Sequence, residues 1–177
     1  LSLFEQTQGR LHNWDAAERE LLWAAAILHN SGHHVSHSAH HQHSYYLIRH
    51  SELLGYTETE IELIANIARY HRKSAPKKKH DPFRNLPTKE QRQMVSQLSA
   101  LLRLAVALDR RQLGAIQTVK CEYRPEIREL HLHLFPTQPD DECALEVWNL
   151  DFKKGPFEAE FGVKLVSKLE GIPVAVG

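Results

Sequence analysis

Three groups of residues in this chain have the types and spacing that do chemistry. The densest is histidine: six of the eleven residues from 33 to 43 are His33, His34, His37, His40, His41 and His43. Imidazole is the commonest metal ligand and titrates near neutrality. The spacing His-x-x-His occurs at His34/His37 and His37/His40, but no His-Glu-x-x-His is present, so spacing alone defines no metal site. The second group is cationic. Residues 69–92 contain Arg69, Arg72, Lys73, Lys77, Lys78, Lys79, Arg84, Lys89 and Arg92 against Asp81 and Glu90, nine positive charges against two negative, or +7. His71 and His80 lie in the same stretch. Such a concentration attracts polyanions through long-range Coulomb forces and counterion release, and a following helix start adds oriented N–H groups. A charge run is also the ordinary composition of a solvated face. The third group is a pair of polar residues in apolar helical stripes, His29 and Asp109. A histidine there is commonly hydrogen-bonded into a core. A carboxylate there needs a cationic, metal or helix-terminal partner.

The elements that must position these groups follow from periodicity. Residues 1–11 read as a helix end. Asp15 with Glu18 three residues on has the capping-box spacing and starts a helix running to about residue 29, with Leu21, Leu22, Ala25, Leu28 and His29 on one face. Asn30-Ser31-Gly32 stops it, and the histidine segment leads from a loop into the next helix. Thr57 and Glu60 form a second capping-box pair, opening a helix to about residue 72. After a Lys- and Pro-rich loop over 73–87, a long helix is expected from 88 to 111 with Met94, Leu98, Leu101, Leu102, Ala105, Leu108 and Asp109 on its stripe.

Beyond Gly114 the period changes to two. Strands are expected over 117–124, 129–135, 143–150 and 163–168, with a short helix over 152–161. The fold class is therefore mainly α, then α+β, with an antiparallel or mixed sheet. The expected division is a helical domain over 1–114, a small α+β domain over 115–170 and a tail over 171–177. Residues 115–162 hold ten acidic and five basic side chains, a net of −5, so the chain is electrically polar although its formal charge is +0.

Composition excludes several classes. With 42% hydrophobic and 25% charged residues, the 177-residue chain is neither disordered nor fibrous. No apolar run reaches the roughly 18 residues of a membrane span, and no secretory leader is visible. Cys121 and Cys143, on different expected strands, imply no disulfide framework, so a reducing cytoplasm is the default compartment. The chain opens Leu1-Ser2-Leu3-Phe4 in an apolar helical pattern, which reads as a segment of a longer protein.

Four strings carry a family resemblance: Ala24-Ala25-Ala26-Ile27-Leu28-His29-Asn30-Ser31-Gly32, the stretch His37 to Ile48, Ile67-Ala68-Arg69-Tyr70-His71-Arg72-Lys73, and Leu101 to Arg110. The first resembles the His-Asp segment of the HD superfamily of metal-dependent phosphohydrolases. Together they resemble the C-terminal region of the exopolyphosphatase / guanosine pentaphosphate phosphohydrolase family, over about residues 1–169. The resemblance implies an HD-like helical domain, hydrolysis of phosphoanhydride bonds by upstream actin-like domains using a divalent ion such as magnesium, and an accessory role here: holding polyphosphate and supporting a homodimer. It implies no catalytic residue and no cofactor in this chain. An active HD site pairs His with Asp and adds a distant Asp. Here the pair is His29-Asn30, the distant position falls at Val106 with Asp109 one turn on, and the upstream His would precede Leu1. Asn supplies no anionic charge and Val no lone pair, so no metal is expected at these positions. The expected polyphosphate-binding residues are Arg69, His71, Arg72, Lys73, Lys77, Lys78, Lys79 and Arg84, with His40, His41 and His43 as neighbours. The rival expectations are a metal-dependent HD phosphohydrolase using His29, the 33–43 histidines, His71 and Asp109, and a nucleic-acid binding module resting on the basic stretch.

Overall fold

The structure is a computed structural model and describes residues 1–171, so all but Gly171 of the expected tail lies outside the described residues. Its elements are α1 (Ser2–Thr7), α2 (Ala16–Leu28), a 3₁₀ turn (Ser31–His34), α3 (His40–Arg49), α4 (Glu58–Arg69), α5 (Asp81–Arg84), α6 (Lys89–Leu108), β1 (Ile116–Arg124), β2 (Glu129–Pro136), α7 (Ala144–Lys153), α8 (Gly155–Phe161) and β3 (Lys164–Leu169). The mainly helical first part and mixed three-stranded sheet match the expected class. Packing gathers Leu1 and Trp14–Arg103 into one compact unit, and Ser2–Asn13 with the described residues from Leu104 on into a second. The change of periodicity lies ten residues further along, after Gly114.

In the first unit, both capping boxes form. The Asp15 backbone N–H donates to Glu18 at 2.8 Å, and the Thr57 backbone N–H donates to Glu60 at 2.7 Å. Each satisfies a donor at a helix start that the helix itself leaves open. Helix α4 is buried nearly all round, with Ile64 and Ile67 wholly inaccessible, and it packs between α2 and α3. Such an encircled helix forms the floor on which its own C-terminal residues, Arg69 to Arg72, are presented. Gly32 lies so close to α3 that a Cβ there would collide with the His40 carbonyl oxygen and the Ser44 backbone nitrogen. Ser44 Oγ completes the join, accepting from Gly32 N at 2.9 Å and donating to the His29 carbonyl at 2.6 Å.

In the second unit, β2 is central, antiparallel to β1 and parallel to β3. Leu130, Leu132 and Leu134 point to the buried face, as the alternation predicts. The Gln6 side chain in α1 clasps β1, donating to Val119 O and accepting from Cys121 N, both at 2.8 Å. The expected strand over 143–150 is instead α7. Its inward residues Cys143, Glu146, Asn149 and Leu150 recur at helical spacing, but two are polar, which breaks the apolar stripe and leaves a spurious alternation. Glu146 is fully buried and bound by Arg111 Nε at 2.9 Å, and Arg111 Nη2 reaches Asp141 at 2.7 Å. Leu145, Trp148 and Phe152 lie exposed on the opposite face, the two rings stacked at 5.7 Å. Among the described residues no helix is long and apolar enough to cross a membrane.

Candidate functional site

The end of α4 and the start of α3 bring the two chemically interesting stretches together. Arg72 Nη1 lies 2.8 Å from His40 Nδ1 and 3.4 Å from its Nε2. His71 Nε2 is 3.2 Å from His40 Nε2. The tautomer of His71 follows from its neighbours. Its Nδ1 is 2.6 Å from the Ala68 carbonyl, which can only accept, so Nδ1 carries the proton and Nε2 presents a lone pair. His29 is arranged alike, Nδ1 donating to the Ala26 carbonyl at 2.6 Å, and its ring meets His71 edge-on at 4.8 Å.

Burial above all holds His40, His41 and His71 neutral. Burial, opposed by the Ala68 bond, pushes His71 down to about 2. Burial also pushes His40 and His41 down to about 4, with Arg72 adding to the effect on both and Arg69 and Lys73 on His41. The inner part of the site thus consists of His40, His41, His71, Arg69, Arg72 and Lys73.

The rest of the basic stretch is a structured loop fixed at both ends. Arg103, only 4% exposed, donates through Nη1 to the Lys73 carbonyl at 2.8 Å and through Nη2 to the Tyr70 carbonyl at 2.9 Å. Burial lowers its pKa to about 10, within the range where it stays charged. Tyr70 and His80 stack at 5.6 Å and join through the phenol at 3.1 Å, with Phe83 edge-on to Tyr70. Lys73, Lys77, Lys78 and Lys79 are exposed and enter no ion pair among the described residues. Arg84 is paired with Asp81 at 2.6 Å, which offsets its charge. Arg69 lies over the Tyr45 ring at 5.5 Å. His43 is half-buried on α3 with its Cβ beside Gly32.

Asp109 is corrected. It is exposed, because α6 ends at Leu108 and Asp109 sits in the closing turn, bonded through its backbone to Ala105 and Gln112. Val106 is half-buried in the last turns of α6, and Asn30 stands at the N-cap of the 3₁₀ turn. Arg103 is the residue that sequence reasoning missed. Its signal was an arginine flanked by Leu101, Leu102 and Leu104 in an otherwise apolar turn, a position where charge survives only with built-in partners.

The helix ends thus bring a cationic junction and several histidines together in the first unit. Residues 1–154 match the profile of the Ppx/GppA phosphatase family, domain III, and the chain belongs to that family. It is similar to the guanosine-5'-triphosphate,3'-diphosphate pyrophosphatase of Pseudoalteromonas atlantica, 30% identical over 112 residues. That match covers 63% of this chain and 22% of the relative's length.

Proposed function

We propose that this chain is the accessory part of a Ppx/GppA phosphatase that holds inorganic polyphosphate on the first unit's basic surface, without itself cleaving it. The single observation that carries the reading is the Arg72–His40 contact at 2.8 Å, which makes the histidine segment and the exposed lysine loop continuous. Arg72 offers a planar fork for phosphate oxygens, while Lys73, Lys77, Lys78 and Lys79 act as point charges along the chain. The expected set of Arg69, His71, Arg72, Lys73, Lys77, Lys78, Lys79 and Arg84, with His40 and His41, divides on this reading. Arg72, Lys73 and the three loop lysines touch phosphate. His40, His41 and His71 position Arg72, and the pairing of Arg84 with Asp81 makes it secondary.

Hydrolysis belongs to the family's other domains, and a hard ion such as magnesium does not fit the HD positions here: Asn30 is a neutral donor, Val106 has none and Asp109 faces solvent. The nucleic-acid reading is weaker, because the aromatics of the basic stretch, Tyr70 and Phe83, are buried against each other and offer no stacking platform. We infer also that the chain supports a homodimer, for which the exposed stripe Leu145, Trp148 and Phe152 offers a surface. The free thiols Cys121 and Cys143 accord with a reducing cytoplasm.

The test is titration of long-chain polyphosphate against wild type, Arg72→Ala and a Lys77/Lys78/Lys79 triple alanine at two salt concentrations. Each lost contact should reduce the slope of log affinity on log salt. Equal affinities for all three proteins, or no salt dependence, would leave the surface as a solvated face.

A further inference from the structure

The histidine segment holds a second arrangement, of which the proposed polyphosphate site uses only His40. One nitrogen from each of His33, His37 and His40 lies within 4.8 Å of the others. His33 stacks on His40 at 3.7 Å between ring centres, and His37 approaches His33 at 5.0 Å. Three features of the fold enforce this. Gly32 allows the 3₁₀ turn to lie against α3, which sets His33 over His40. The chain then reverses through Ala39, which takes a left-handed φ of 56° without being glycine. That conformation costs energy and persists only where surrounding structure holds it. Finally, buried His40 is held between the rings of His33 and His71.

We propose that His33, His37 and His40 form a binding site for one borderline divalent transition ion of the zinc class. Three imidazole nitrogens with no carboxylate suit Zn²⁺, Ni²⁺ or Cu²⁺ and are poor ligands for magnesium or calcium. Zinc binds imidazole nitrogen at about 2.0–2.1 Å, so the three nitrogens must draw together by small rotations. His33 and His37 are exposed and can make them, while His40 is the fixed point. The fourth position is left for water or an anion.

The site is distinct from the HD positions His29, Asn30 and Val106. It also sets a competition. Arg72 Nη1 lies within 3.4 Å of both nitrogens of His40, so a metal on His40 must displace the guanidinium. Arg72 therefore opposes the ion both by occupying a lone pair and by its charge.

The test is calorimetric titration of chelator-stripped protein with Zn²⁺ and with Mg²⁺, together with the visible absorption of the Co²⁺ form. One Zn²⁺ should bind per chain, magnesium should not compete, and Co²⁺ should give the intense bands of four-coordination. His33→Ala and His37→Ala, both at exposed positions, should each weaken Zn²⁺ by at least about tenfold. His34→Ala, equally exposed in the same turn, should have no effect. Arg72→Ala should tighten Zn²⁺ while weakening polyphosphate, which separates this inference from the proposed function. Absence of saturable Zn²⁺ binding, equal losses in His33→Ala and His34→Ala, or weaker Zn²⁺ binding in Arg72→Ala would overturn the assignment.

Discussion

Replacing Arg103 with methionine removes the guanidinium that fixes the start of the basic loop and keeps most of the apolar stem. Two well-formed charged bonds disappear, to the Lys73 and Tyr70 carbonyls, while the 3.4 Å approach to the Ser74 carbonyl adds little. A hydrogen bond involving a charged group contributes about 1.5–3 kcal/mol. The gross loss is then roughly 3–6 kcal/mol. Part is returned, because the buried charge no longer has to be kept from water, the same burial that lowers the pKa of Arg103 to about 10. A net destabilisation of about 2–4 kcal/mol follows, and for a chain of this size each kcal/mol lowers Tm by about 2–4 °C. Calorimetry should show a fall of roughly 4–16 °C. Amide exchange should rise first at Tyr70 and His71, whose N–H groups close the end of α4. Arg103→Lys, able to reach one carbonyl, should fall between. A Tm within about 2 °C of wild type, with unchanged exchange at Tyr70 and His71, would refute the anchoring argument.

Gly32→Ala should destabilise the first unit by about 1–3 kcal/mol or more, since the added methyl meets backbone atoms of α3 that cannot rotate away; urea unfolding checks it. Arg111→Ala should lower the unfolding temperature more than Glu146→Ala, because it strands the wholly buried Glu146 carboxylate, whereas Arg111 left without Glu146 is partly exposed and can be hydrated. Burial raises the Cys121 thiol to about 11 from its usual 9, so its thiolate is scarce at pH 8. Alkylation of the native chain at that pH should run about 100-fold slower than in urea, and should speed up as pH climbs towards the folded pKa.

Local rules of the sequence carried much of this fold. Asp15/Glu18 and Thr57/Glu60 act within one helical turn, so their caps are readable from spacing alone. The leucines of β2 alternate because only one face of that strand is buried. Tertiary partners decided what sequence left obscure. Glu146 and Asn149 point inward only because Arg111 and the Ala107 carbonyl await them, so α7 reads as a strand until those partners are known. Asp109 falls on the apolar stripe by counting, but the helix stops one residue earlier. For the candidate site, the basic stretch and the histidines were visible as composition. Their meeting at Arg72 and His40, 32 residues apart, was not, nor was the role of Arg103 beneath them.

The most direct test of the central claim is a residue-resolved map of the bound polyanion, by amide chemical-shift changes on titration with long-chain polyphosphate. Saturable shifts should concentrate at Arg72, Lys73 and residues 77–79, extend to His40 and His41, and recede together as salt is raised. Shifts confined to the second unit, or none that saturate, would contradict the account.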